Sequence, residues 1–113
     1  MAVDEETAGR LRGALAGLEG LSEKRMMGGL CFFLNGNMVG GADRPKTGAP
    51  RFMFRVGKDN EAAGNALPGA EPLVQGGRAM RGFFFVDEAG CDDEALGQWV
   101  SLAVSHAAGL PPK

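Results

Sequence analysis

Hydrophobic and polar residues repeat along this chain with two periods, one of three to four residues and one of two. The longer period occupies residues 4–18 and 93–108, and it predicts an amphipathic helix near each end of the chain. Acidic residues fill the first turn of both helices, Asp92 is placed to cap the second, and Gly20 and Gly109 follow their ends. The predicted buried positions are Val3, Thr7, Leu11, Ala14, Leu15 and Leu18 in the first helix, and Leu96, Trp99, Val100, Ala103, Val104 and Ala107 in the second.

The shorter period predicts strands between the two helices. Apolar residues 30–34 and 37–39 flank an Asn35-Gly36 dipeptide, which favours the positive φ angles of a type I′ hairpin turn. Residues 51–56 alternate strictly, and we expect a strand with two different faces. Its phenylalanines and valine (Phe52, Phe54, Val56) should lie on one face and Arg51, Met53 and Arg55 on the other.

Weaker signals complete the pattern. They predict strands at residues 22–27, 71–74 and 83–86, a loop at 42–50, a turn at Gly76-Gly77, and a short helix from an Asp59 cap to Leu67. Most neighbouring strands are joined by segments too short for a parallel crossover. The pattern therefore predicts an α+β two-layer sandwich, an antiparallel sheet of five to six strands with helices on one face, in a single domain over residues 1–113.

Composition and charge narrow the classes of function. The 113 residues are 44% apolar and 23% charged, as in ordinary globular domains. The net charge is −2, the pI is about 5.3, and no three basic residues are consecutive. Tight DNA binding depends on neutralising phosphates, so we expect no autonomous DNA binding.

The cysteines and the N-terminus indicate in which cellular compartment the protein resides. Cys31 and Cys91 lie far apart and form no CxxC pair, and the acidic N-terminus lacks the features of a signal peptide. No apolar run is long enough to cross a bilayer. We expect a cytoplasmic protein with two free thiols and no contact with membrane.

Few residues here suggest catalysis. His106 is the only histidine, and no nucleophile stands at a helical spacing that would pair with it. Cys91 precedes a helix start, where the dipole can lower the pKa of a thiol, although an inert thiol is the simpler interpretation. Helix capping and a solvated rim explain the nearby acidic residues, which are Asp87, Glu88, Asp92, Asp93 and Glu94. No spacing matches a metal or phosphate motif, so we expect no metal and no cofactor.

At this point an ordered set of motifs resembles one family. The segment KRMMGGLCFFLNGNMVGG is similar to the start of the TfoX (Sxy) N-terminal domain, where a basic pair precedes Met-Phe-Gly-Gly, an aromatic strand and an Asn-Gly turn. RFMFRVGKDN, GRAMRGFFFVDE and the Trp99 helix ending in LPPK resemble later parts of the family, in order. Met27 stands where the family usually has phenylalanine, and residues 43–50 resemble an insertion.

The resemblance implies a compact α+β domain without established catalytic residues. The family's named representatives regulate competence genes together with the cyclic-AMP receptor protein. Our leading hypothesis is therefore a non-enzymatic bacterial module of transcription that binds a regulator or RNA polymerase. We expect its interaction surface at Lys24, Arg25, Arg51, Arg55 and Arg81.

Three alternatives stay open. The first is a small enzyme or ligand-binding domain with a site near Cys91, His106 and the acidic cluster. The second is a homodimer formed through Phe83 or Phe85 of an exposed sheet. The third is that the basic side chains are simply charges on the wet face of a sheet.

Overall fold

The structure, a computed structural model, describes residues 4–26, 28–46 and 48–113. One antiparallel sheet of six strands carries three helices, in the strand order β1-β2-β3-β4-β6-β5. The elements are α1 (Glu5–Leu15), β1 (Leu21–Met26), β2 (Gly29–Leu34), β3 (Asn37–Asp43), β4 (Arg51–Arg55), α2 (Glu61–Asn65), β5 (Glu71–Gln75), β6 (Arg78–Asp87) and α3 (Asp93–Ala108). The predicted α+β class and element order are confirmed.

Both long helices begin after a side-chain cap, which is the predicted Asp92 in one and, in the other, Asp4, a residue that the pattern predicted inside the helix. Asp4 accepts a hydrogen bond from the backbone N–H of Thr7 at 3.1 Å, and Asp92 accepts one from Ala95 at 2.8 Å. The bounds of α3 are confirmed at both ends. The predicted end of α1 is wrong, since the chain turns extended at Ala16 (ψ 141°) and Leu18 lies on the surface.

The rest of the α1 prediction is partly correct. Thr7, Leu11 and Leu15 are buried, whereas Ala14 is exposed and Ala8 takes an unpredicted place in the core. Val3 lies outside the described residues.

The hairpin between β2 and β3 is confirmed by its turn. Asn35 has a φ of 52° and Gly36 a φ of 84°, as a type I′ turn requires. Both arms are longer than predicted, since β2 begins at Gly29, where it pairs with β1, and β3 continues to Asp43, where it pairs with β4. The predicted loop at 42–50 is shorter as a consequence. The predicted strand at 22–27 is β1, and Met27 lies outside the described residues.

The central strand β4 has the predicted alternation. Phe52, Phe54 and Val56 are fully buried on the helix side of the sheet, and Arg51 and Arg55 are half-buried on the other side. The predicted Asp59 cap is wrong. Asp59 lies inside a 3₁₀ turn (Lys58–Asn60), and α2 begins only after it, without a side-chain cap.

The core lies between the sheet and the helices α1 and α3. Trp99 is its largest fully buried side chain, stacked on Phe54 with ring centroids 5.4 Å apart and planes 7° apart. Phe84, the cross-strand partner of Phe54, also packs against the indole, with ring centroids 5.3 Å apart. This contact of β4, β6 and α3 fixes the helix layer on one face and leaves the opposite face of the sheet without helices.

Candidate binding face

The face of the sheet that carries no helix is itself largely apolar; we call it the open face. Its central row follows the strand register, in which Cys31 pairs with Gly41, Gly41 with Met53, and Met53 with Phe85. Cross-strand partners share a face, so these side chains form one continuous surface. A neighbouring row contains the pairs Phe33–Met38 and Arg55–Phe83. Six residues therefore define the open face: Cys31, Phe33, Met38, Met53, Phe83 and Phe85.

The sheet curls over this face. Met26 on the edge strand β1 and Leu73 on the opposite edge strand β5 line the same two hollows. In a flat sheet of six strands these edges would lie about 24 Å apart, at ~4.8 Å for each strand spacing. The open face is therefore concave, with hollows of about 360 Å³ and 420 Å³ that share Met26, Met53 and Leu73.

A glycine forms part of the floor of the first hollow. Gly41 stands between Cys31 and Met53 in the central row and lines this hollow, and a Cβ at this position would come within 2.9 Å of the Leu30 carbonyl oxygen and 3.3 Å of the Cys31 Sγ. The Cys31 thiol lines this hollow but is only 4% exposed. Burial, reinforced by the Asp43 carboxylate, raises the pKa of Cys31, so the thiol is protonated at neutral pH.

Two arginines border the open face in different electrostatic states. Arg51 donates to both oxygens of Asp43, at 2.8 and 3.2 Å, and its guanidinium lies 3.6 Å from the Phe85 ring centroid. Arg55 lies 6.0 Å from the Phe83 ring centroid, and no carboxylate of the described residues comes within 4.0 Å of it. Arg51 is thus neutralised, and Arg55 keeps an uncompensated charge at the second hollow.

The five basic residues of the predicted interaction surface do not share one face. Lys24 pairs across the strands with Cys31 and lies on the open-face side, with Arg51 and Arg55. Arg25 pairs with the core residue Leu30, which puts it on the helix side of β1. Arg81 contacts Glu61 of α2 at 3.2 Å.

The alternative site near Cys91 and His106 is not assembled. The two residues lie at opposite ends of α3, roughly 20 Å apart at 1.5 Å per residue. Cys91 is 2% exposed, and its burial raises the pKa of the thiol, although Arg10 opposes this effect. This burial agrees with the simpler interpretation of the sequence, an inert thiol, because desolvation disfavours the charged thiolate. His106 is half-buried and packs over Gly57.

The acidic cluster serves the packing of helices. Arg10 of α1 contacts Glu88 at 2.8 Å, Asp93 at 3.0 Å and the carbonyl oxygen of Cys91 at 2.8 Å. Asp92 caps α3. Capping and ion pairing thus account for three of the five acidic residues, and Asp87 and Glu94 are exposed.

The described part of the chain contains neither a metal-binding cluster nor a membrane-spanning helix. Within residues 4–26, 28–46 and 48–113, no three histidine, cysteine or acidic side chains cluster as a metal site would require. No helix in the same ranges combines the length and the apolar character that crossing a bilayer requires.

Sequence reasoning found part of the open face and missed the rest. It placed Arg51, Met53 and Arg55 on a common face and considered Phe83 and Phe85 exposed. It missed the hollows, because Met26 and Leu73 come from distant edges of the sheet and no sequence signal brings them together. The one available signal was the unbroken apolar run of β2, which shows that both faces of that strand are apolar.

Comparison with known proteins identifies the family. The model of the TfoX N-terminal domain matches residues 13–107, which includes every strand of the sheet and nearly all of α3. No curated protein and no solved structure matches the chain. Because the match covers most of its length, the chain belongs to the TfoX N-terminal domain family.

Proposed function

We propose that the protein is a non-enzymatic, cytoplasmic regulatory domain that acts in transcription by binding a protein partner. Membership of the TfoX N-terminal domain family, a non-catalytic family, supports this proposal. The separation of Cys91 from His106 also supports it, since no nucleophile and base meet there. Competence regulation and partnership with a transcription regulator or RNA polymerase follow from the family resemblance.

The observation that carries the proposal is the free edge of β1. This strand pairs with β2 on one side only, and Lys24 and Arg25 on it are exposed. Neither side chain makes an ion pair with another described residue. An open strand edge with uncompensated positive charge suits an acidic segment of a partner, bound through backbone hydrogen bonds and charge complementarity.

The other predicted cations contribute less to such an interface. Arg51 and Arg81 already pair with Asp43 and Glu61, so a partner would have to break those contacts to use them. Lys24 and Arg25 make no ion pair with another described residue, so a partner could bind them without breaking one. We therefore expect the partner's affinity to depend first on these two residues of β1.

A titration with RNA polymerase holoenzyme and with cyclic-AMP receptor protein, both purified from the source organism, tests the proposal. We expect one of them to bind the full chain, and the double variant Lys24→Glu/Arg25→Glu to weaken that binding about tenfold or more. The matched control Lys58→Glu/Arg78→Glu changes the same charge at exposed positions elsewhere and should bind normally. Absence of binding to both proteins, or equal loss in the control, would contradict the proposal.

DNA alone should not bind at physiological salt, because the chain carries a net charge of −2. A gel shift without the partner checks this. If the domain alone shifted DNA in a salt-dependent manner, we would conclude that its partner is a nucleic acid and not a protein.

A further inference from the structure

We propose that the concave open face binds an amphiphilic carboxylate, a molecule with an unbranched apolar tail and one anionic head. The tail would lie in the two hollows and the head on Arg55. This site goes beyond the proposed function and does not depend on it, because the partner surface above is the outer edge of β1.

The hollows have the size and lining of a ligand site. Their volumes of about 360 Å³ and 420 Å³ fall within the range of ~300–1,000 Å³ that is usual for small-molecule pockets. Since Met26, Met53 and Leu73 line both hollows, the hollows adjoin along the open face; we call the pair the groove, and its elongated outline fits an elongated molecule better than a compact one.

Methionines dominate the groove. Every methionine among the described residues lines it: Met26, Met38, Met53 and Met80. Methionine is unbranched and adaptable, and proteins use it where an apolar surface must accept partners of varied shape. Phe33 and Phe83 add flat apolar walls. This lining favours an alkyl tail.

The charged side chains at the two hollows indicate where the anionic head of the ligand binds. Among the residues that the structure describes, no acidic side chain lines the second hollow, whereas Arg55 and Lys113 do. At the first hollow Asp43 already neutralises Arg51. A single anionic group therefore gains most at Arg55, whose planar guanidinium can hold a carboxylate through two parallel hydrogen bonds.

The shape of the face argues against a second copy of the chain as the occupant. A two-fold dimer through this face would put the same concave surface on both sides of the contact. Two concave surfaces touch at their rims and leave the hollows unfilled. A tail that enters the groove fills it, which matches the close packing of protein interiors.

Calorimetric titration of the full chain with sodium hexanoate, octanoate and decanoate, below their micellar concentrations, tests the proposal. Burial of each methylene contributes about 0.8 kcal/mol, which is about a fourfold change in Kd. We therefore expect Kd to fall about 15-fold for each pair of added methylenes. Absence of binding by decanoate, or an affinity that does not depend on tail length, would overturn the proposal.

Charge variants test the position of the head. Arg55→Met should weaken decanoate at least tenfold and leave the binding of 1-decanol unchanged. Arg78→Met is the matched control, an exposed arginine that lines neither hollow and makes no ion pair with another described residue, and it should leave both ligands unaffected. Met80→Glu should weaken decanoate but not decyltrimethylammonium. An unchanged decanoate Kd in Arg55→Met would overturn the assignment.

Methyl NMR of ¹³C-methionine-labelled protein locates the tail. Decanoate should shift the signals of Met26, Met38, Met53 and Met80, each assigned through a Met→Leu variant. Trp99 fluorescence should stay constant, because the indole lies in the core on the other side of the sheet. Shifts absent from those four methyl groups, or a change in Trp99 emission, would mean that the carboxylate binds elsewhere or loosens the fold.

Discussion

The two faces of the sheet are built from similar apolar residues but have different physical roles. On the helix side, Phe84 is 1% exposed and packs against Trp99. On the open face, the next residue of the same strand, Phe85, is half-exposed, and the guanidinium of Arg51 lies 3.6 Å from its ring centroid. One face uses its hydrophobic surface for stability, and the other keeps it accessible. Apolar content alone therefore does not identify a core.

Replacement of two adjacent phenylalanines measures this difference most directly. Phe84→Ala should destabilise the protein by about 3–5 kcal/mol, because it leaves a cavity beside Trp99. Phe85→Ala should cost only about 1 kcal/mol, since its ring is not fully removed from water in the folded protein. Urea unfolding followed by Trp99 fluorescence gives both values. Equal losses would show that the open face is packed as firmly as the core.

Two arginines extend the comparison to polar contacts. Arg10 joins α1 to the start of α3 through two carboxylates and a backbone carbonyl, and Arg51 binds one carboxylate. Arg10→Met should cost about 2 kcal/mol, because it leaves several partners of a charged donor unsatisfied. Arg51→Met should cost about 1 kcal/mol. Thermal unfolding of the two variants in the same buffer shows which one loses more stability. A larger loss for Arg51→Met would contradict the conclusion that polar contacts on the helix side contribute more to stability than those on the open face.

Acid stability tests the contact between α2 and β6. The backbone N–H of Gly82, and then the Arg81 guanidinium, lower the pKa of Glu61 from its usual value of 4.5. A carboxylate with a lowered folded-state pKa stabilises the protein above its unfolded pKa, and this contribution is lost as the pH falls through the folded value. Glu61→Gln should therefore be less stable at pH 7 and lose less stability below about pH 4.5.

Urea midpoints measured between pH 7 and pH 3 give this comparison. Glu94→Gln, an exposed carboxylate on α3, serves as the control. Parallel pH profiles for the wild type and Glu61→Gln would contradict the assigned contact.

The smallest expected effect is a difference between the two thiols. Burial raises the pKa of both Cys31 and Cys91, so both should react slowly with iodoacetamide. Cys31 lines the first hollow, whereas Cys91 belongs to the helix-side core. In the single-cysteine variants Cys91→Ala and Cys31→Ala, mass spectrometry should show faster alkylation of Cys31. Faster alkylation of Cys91 would contradict the conclusion that the open face is the more accessible side of the sheet.

Particular residues show how far the sequence could be interpreted. Asn35-Gly36, the alternation of β4 and the Asp92 cap predicted their local structures correctly, because each depends on a few neighbouring residues. The end of α1 and the Asp59 cap were wrong, since several capping residues were locally acceptable and tertiary packing selected among them. Interaction through Lys24, Arg25, Arg51, Arg55 and Arg81 stays a prediction.

The antiparallel class, the order of elements and the apolar side of β4 could be inferred from the amino-acid sequence, because they follow from short-range periodicity and turn chemistry. Three other features became visible only in the folded chain: β1 and β5 curl toward each other over the two hollows, Arg51 is neutralised while Arg55 is not, and Cys91 and His106 stand apart. Those features depend on contacts between residues distant along the chain, and the packing of the whole sheet against its helices sets them.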